Sequence, residues 1–431
     1  MLKKIVLIGF WLFCSALSLM AQQSLLLDKY RALALAYSHD LKSAEKNLSV
    51  SIELEKMAKA ERKPKLSGDI DAQYIGNPMS LNVKNPSIEA PLSFQGTHFQ
   101  YGASLSLLQP IYTGGRILEN IKLAKNQQNL ATNQMDLLRS SICFQTDIQY
   151  WNTVTRYQMV KIASDFRNSI AELVLIIKER VEVGLVDPQD LLMAEVKLNE
   201  AEYALLQTQN AFETGRMALN AMIGIELQNP TEIDSILPLV AVQDSLWQLS
   251  GENRSELKIA ESAIKIAENT FKLKDAQYKP QFYAGAEGSY ASPGYDFTSD
   301  LDPNYGVYVK LSVPIFEWGK RRSQKRASSL QIGIAQDGLN KTKDQVQLDL
   351  QNARIALKQA LQRVDLANSS LEKASENENK ALERYNEGSI SILEVLDAQT
   401  YRQSSQINYT QAKGAAQSYY ADLLKALNLY K

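Results

Sequence analysis

Four stretches of this chain alternate apolar and polar residues with a period of two, and the much longer stretches between them carry no such alternation and read as helix. In the first stretch Leu66, Gly68, Ile70, Ala72 and Tyr74 alternate with Ser67, Asp69, Asp71 and Gln73. In the second, Tyr101, Ala103, Leu105 and Leu107 alternate with Gly102, Ser104, Ser106 and Leu108. The third places Phe282, Ala284, Ala286 and Tyr290 against Tyr283, Gly285, Glu287 and Ser289. The fourth places Tyr305, Val307, Val309, Leu311 and Val313 against Gly306, Tyr308, Lys310 and Ser312. Each run predicts a strand of about 9–11 residues, the length that crosses a bilayer at a tilt. One face of each strand is apolar and the other is polar or small. A soluble sandwich shows the same alternation, but tyrosines at the strand ends resemble the girdle of a membrane barrel.

The strands pair as hairpins, with a long first loop (75–100) and a shorter second loop (291–304). Pro110 and Pro314 are expected to end the strands that precede the long helices. The segments from Arg116 to Val183 and from Lys320 to Glu387 contain no proline. Each predicts a helix of about 100 Å at 1.5 Å per residue. Gly184 and Gly388 follow as left-handed C-terminal caps, and a shorter return helix comes after each.

The pattern occurs twice. Tyr101, Pro110 and Gly115 return as Tyr305, Pro314 and Gly319, and Arg180, Gly184 and Ala194 as Arg384, Gly388 and Ala398, always 204 positions on. Upstream of the hairpin loops the offset is 216: Leu41 matches Leu257, and Pro64 matches Pro280. The first loop is therefore 12 residues longer than the second. A long period without other insertions predicts one structural unit used twice. The first copy covers 22–224, with a helix, a hairpin at 65–110, a long helix at 116–183 and a return helix at 188–222. A crossover segment, 225–254, contains Pro230 and Pro238. The second copy covers 255–431, with a helix, a hairpin at 281–314, a long helix at 320–387 and a return helix at 392–427.

Residues 1–21 read as a secretory signal peptide: Lys3 and Lys4, then an apolar run from Ile5 to Leu19, then Ala21 as the last residue before cleavage. Cys14 would leave with it, and Cys143 reads as a buried small hydrophobe. No later segment is long and apolar enough to be a membrane helix. An exported chain of this kind reaches a membrane through its strands. The 47 basic and 48 acidic residues nearly balance, giving no electrostatic footprint for nucleic acid.

An enzyme constellation is not found. The two histidines, His39 and His98, lie in different elements, so neither metal-ligand spacing nor a nucleophile–His–acid set arises. Thr113-Gly114-Gly115-Arg116 lacks the lysine and spacing of a phosphate-binding loop. No cofactor and no metal is expected. Four strands cannot close a barrel, since about eight are needed to enclose a filled interior. Other chains must complete it, and the strand count leaves a dimer with eight strands and a trimer with twelve both open.

The order of elements and the turn sequences resemble the TolC-like outer-membrane efflux channel family over nearly the whole exported chain. The turns that carry the resemblance are Arg180-Val181-Glu182-Val183-Gly184-Leu185-Val186-Asp187-Pro188-Gln189-Asp190 and Arg384-Tyr385-Asn386-Glu387-Gly388-Ser389-Ile390-Ser391-Ile392-Leu393-Glu394. The strand-to-helix corners Gln109-Pro110-Ile111-Tyr112-Thr113-Gly114-Gly115-Arg116 and Val313-Pro314-Ile315-Phe316-Glu317-Trp318-Gly319-Lys320 are also similar to the family's. The resemblance implies an α+β membrane protein: a homotrimer with a twelve-stranded outer-membrane β-barrel, continued by a long periplasmic α-helical barrel. It implies an exit duct for efflux or type I secretion that contacts outer-membrane lipid, a periplasmic adaptor (membrane fusion protein) and an inner-membrane RND or ABC pump. It further implies that Gly184, Asp190, Tyr385 and Gly388 form the periplasmic gate and that Glu394 and Asp397 form a selectivity ring. The spacing of that last pair puts both carboxylates on one helix face, which is equally the pattern of a solvated face. The basic gate residue of some members falls on Ile390, where this chain departs. A periplasmic coiled-coil adaptor and a simple diffusion porin are the alternatives. The former lacks bilayer-length strands and the latter needs no 100 Å helices.

Overall fold

Strand alternation and proline placement explain most of the architecture in the computed structural model, which describes residues 26–83, 92–294 and 300–430. The leader, 1–21, lies outside the described residues. The elements run α1 (26–37), α2 (His39–Ala60), β1 (Lys65–Tyr74), β2 (Ser80–Val83), β3 (Leu92–Gln95), β4 (Phe99–Tyr112), α3 (Arg116–Glu182), α4 (Pro188–Ile223), α5 (Ser255–Ala276), β5 (Gln281–Ser292), β6 (Asp302–Ser312), α6 (Lys320–Asn386) and α7 (Ile392–Ala426). Helices α3 and α6 have 67 residues each, a length of about 100 Å. Among the described residues no helix is long and apolar enough to cross a membrane.

The chain forms two units. One comprises residues 46–132 and 259–340 and holds an antiparallel sheet in the order β1-β4-β5-β6. Its register aligns the alternation of all four strands. Leu66 lies opposite Leu107, Ile70 opposite Ala103 and Tyr74 opposite Phe99. Ala103 in turn faces Tyr290, while Ala286 faces Val307 and Gly288 faces Tyr305. Successive side chains point to opposite faces, so these residues make one continuous apolar face. Nothing among the described residues covers it: Ile70 is 89% exposed and Val307 83%. The opposite face carries Ser67, Asp69, Asp71, Ser104, Ser106, Glu287 and Lys310, with Ser67 and Ser106 hydroxyls bonded at 2.8 Å. On this face Tyr308 lies over Gly285, where a Cβ would fall 2.4 Å from its ring. Tyr74, Phe99, Tyr101, Tyr290 and Tyr305 gather near the loop end of the sheet.

Two features differ from the sequence expectation. Pro110 does not end its strand: β4 continues to Tyr112, and the register on β5 shifts between Pro110 and Tyr112. Strand β1 has ended opposite Leu108. Beyond that rung β4 has a neighbour on one side only, and a residue without an N–H is tolerated there at a bulge. The first loop also contains structure of its own, since β2 and β3 pair as a separate two-stranded sheet. Helices of this unit are joined by polar contacts. Glu61 accepts from Asn120 at 2.9 Å and pairs with Arg116 at 3.2 Å. Burial works against ionisation of Asp275, but Arg321 and Lys325 beside it outweigh that and hold its carboxyl below the usual range.

The other unit comprises residues up to 45, 133–258 and 341–431. Its apolar core has three main parts. Around Tyr150, Val154, Leu219 and Ile223 the helices α1, α3 and α4 enclose Leu237 of the crossover. Around Leu357 and Leu423, α6 and α7 pack on Val240, Leu246 and Trp247, the last two from a 3-10 turn at Asp244–Trp247. The third part lies at the helical turns. Asp147 is 2% exposed and is held by three hydrogen bonds from two residues: Arg31 Nε donates at 2.6 Å, Arg31 Nη2 at 2.5 Å and the Tyr430 hydroxyl at 2.6 Å. Cys143 is buried, and burial pushes its thiol up.

Candidate functional site

The two turns joining a long helix to its return helix are built by the same local chemistry. Gly184 has φ +75° and Gly388 φ +76°. Gly184 N–H donates to Val181 O at 3.0 Å, and Leu185 N–H to Arg180 O at 2.9 Å. Gly388 N–H donates to Tyr385 O at 3.0 Å, and Ser389 N–H to Arg384 O at 2.9 Å. This paired closure satisfies carbonyls that a helix end leaves orphaned and needs a left-handed residue, which glycine supplies without strain. The return helices start differently. Asp187 caps α4, its carboxylate accepting from Gln189 N–H at 2.8 Å, with Pro188 in the first turn. Ser391 caps α7, and Glu394 reaches back to Ser391 N–H at 3.5 Å in a capping box.

The turns share a core. Phe166, Ile170, Leu173 and Ile177 of α3 pack with Tyr385 and with Ile392, Val395 and Leu396 of α7, and Ile390 lies against this cluster. Tyr385 is 5% exposed, and its buried hydroxyl meets no hydrogen-bond partner among the described residues. Asp190 is half-buried and is not bonded to that hydroxyl; its N–H donates to Asp187 O at 3.0 Å. Arg180 spans the turns. Its guanidinium lies 4.7 Å from the Tyr385 ring centroid, and Nη2 donates to Asn386 Oδ1 at 3.1 Å. Below the turns Arg402 pairs with Glu378 at 2.5 Å; burial pushes the Glu378 carboxyl up, and Arg402 opposes that rise.

Glu394 and Asp397 are both exposed on α7. Asp397 also lines an open groove of about 410 Å³ between α4 and α7, with Leu192, Met193, Val196 and Leu393 on its walls. Of the six residues singled out from sequence, the structure thus places Gly184 and Gly388 in matched caps and Tyr385 in the shared core. It leaves Asp190, Glu394 and Asp397 with unburied or half-buried carboxylates near the turns. Sequence reasoning missed the bridging role of Arg180, although an arginine four residues before each turn glycine was a visible signal. It also missed the cap made by Glu394, although Ser391-x-x-Glu394 is a capping-box pattern.

Comparison with known proteins identifies the family and the fold. Residues 31–225 and 246–429 match the family described as "Outer membrane efflux protein". The solvent efflux pump outer membrane protein SrpC of Pseudomonas putida is 25% identical over 386 residues, covering 86% of this chain and 78% of the relative. The toluene efflux pump outer membrane protein TtgI, also of Pseudomonas putida, matches to the same extent. Among solved structures, the outer membrane protein VceC of Vibrio cholerae superposes with TM-score 0.77 at 18% identity, covering 93% of this chain and 96% of that one. The CmeC outer membrane channel of Campylobacter jejuni superposes with TM-score 0.74 at 17% identity, covering 93% and 85%.

Proposed function

The chain belongs to the outer membrane efflux protein family, and from that premise we propose that it acts as a homotrimer whose twelve strands form one barrel and whose helices form a gated periplasmic tunnel. Membership makes it an outer-membrane efflux component and a transport protein, and its family is not one of enzymes. The observation that carries the finer reading is the four-stranded sheet. Among the described residues the outer edges of β1 and β6 have no pairing strand, and the apolar face is uncovered. Long open edges and an apolar patch of this extent are liabilities in water. Closure with neighbouring copies and contact with outer-membrane lipid remove both. The two sequence copies supply equivalent units around the axis. A periplasmic adaptor and an inner-membrane RND or ABC pump complete the route.

Within this assembly the turns around Gly184 and Gly388 form the gate facing the adaptor, with Asp190 and Tyr385 at its closing contacts. Exposed Glu394 and Asp397, repeated by three-fold symmetry, place six carboxylates about one axis and favour cations. Charge can be removed with little change of shape by Glu394→Gln with Asp397→Asn, which keeps an acceptor at the α7 cap. Planar bilayers under a salt gradient should show a cation-selective wild type. The double variant should have its reversal potential moved most of the way to zero. Unchanged selectivity would assign the carboxylates to a solvated face.

A further inference from the structure

We propose that Arg384 pairs with the partner subunit's Glu182, closing between subunits the contact that Arg180 closes within one. This rests on the trimeric, two-copy reading above. Inside a subunit Arg180 reaches from the end of α3 to the end of α6. It covers the Tyr385 ring at 4.7 Å and donates to Asn386 Oδ1 at 3.1 Å and, at 3.5 Å, to the Tyr385 carbonyl. The 204-residue offset maps each member of this contact. Arg180 becomes Arg384, Tyr385 becomes Val181 and Asn386 becomes Glu182. Where two equivalent units alternate around an axis, a contact from first copy to second inside a subunit recurs from second copy to first across the boundary. At the recurrence the ring has become an aliphatic side chain and the neutral amide a carboxylate. The lost cation–π attraction is therefore replaced by an ion pair.

Two observations fit this mapping. Arg384 and Glu182 are both exposed in the single chain, and neither side chain has a hydrogen-bond or ion-pair partner among the described residues. Arg180 is by contrast engaged at the matching place. In addition, Ile390 is uncharged and lies against the apolar core of the turns. No ionic link can be made through that position, and Arg384 supplies a cation six residues earlier.

The test is a charge exchange in the full-length protein, reconstituted in planar bilayers, with the mass of each detergent-purified variant measured in parallel. Glu182→Arg and Arg384→Glu each set like charges against one another at three boundaries. Each exposed pair is worth a few-fold in the closing equilibrium, so three together should raise the open fraction by about tenfold or more. The double exchange Glu182→Arg with Arg384→Glu should return it to near the wild-type value. Arg180→Glu should also loosen the gate, but Glu182→Arg should not rescue it, because the Arg180 partner is Asn386. Trimers in which both single variants close like the wild type would overturn the proposal, and so would a double variant as leaky as the singles. A mass other than three chains overturns the quaternary reading itself and is recognised before any conductance is recorded.

Discussion

Asp147→Ala is expected to destabilise the helical unit by about 3 kcal/mol, the low end of the cost of breaking a buried ion pair. The low end applies because the Arg31 side chain is 24% exposed and regains some hydration. Asp147 joins three distant parts of the chain. Arg31 comes from α1, Asp147 from α3 and Tyr430 from the segment after α7. The alanine variant leaves the Arg31 guanidinium with Asp28 alone, at 2.7 Å, and the Tyr430 hydroxyl with only a long contact to Ala421 O at 3.5 Å. Burial and the Asp147 charge both push the Tyr430 hydroxyl up, so it stays a neutral donor across ordinary pH. Tyr430→Phe removes a single bond to a charged group and should cost about 1.5–3 kcal/mol. Thermal melting followed by tryptophan fluorescence should therefore order the proteins as wild type, Tyr430→Phe, then Asp147→Ala. Equal melting temperatures for Asp147→Ala and wild type would remove the anchor from this account.

A second large effect is expected at the turn glycines. Gly184→Val and Gly388→Val should each abolish the stable closed level in single-channel records, whereas Gly388→Asn should keep it. A Cβ added at either glycine would meet nothing within 4 Å. Crowding is thus absent and the backbone is the cause. A left-handed residue costs roughly 1–2 kcal/mol for an ordinary side chain, more for a β-branched one, and less for asparagine. In the proposed trimer the substitution falls at three turns, so the costs accumulate at one gate. Normal closure by both valine variants would show that the turns do not set the gate.

Much of this architecture was legible in the sequence because its signals are local. Absence of proline marks α3 and α6, alternation marks the four long strands, and glycine marks the turns at Gly184 and Gly388. Features that depend on partners far along the chain were not legible. Nothing near Asp147 announces Arg31, 116 positions away, or Tyr430, 283 away. The inner sheet of the first loop was hidden because β2 and β3 have only 4 residues each, too few for a period to stand out among prolines. Pro110 predicts a strand end because a central strand excludes proline, but β1 pairs β4 only as far as Leu108, so Pro110 lies where β4 is no longer flanked on both sides. At the turns, resemblance to a family assigned roles to Glu394 and Tyr385. The structure adds a local task for each, a helix cap and a core side chain, which sequence spacing does not separate from a place in a pore.

The central claim is that the open sheet edges of three copies join into one barrel, and the most direct measurement is covalent closure across that joint. Cysteines scanned along β1 can be combined with cysteines in β6, expressed in outer membranes and oxidised. Cys143 can remain, since it is buried and its thiol is pushed up by burial. For pairs in register, a non-reducing gel should show a ladder that rises to three chains and stops there. A ladder that stops at two, one that continues past three, or a product confined to single chains would contradict the account.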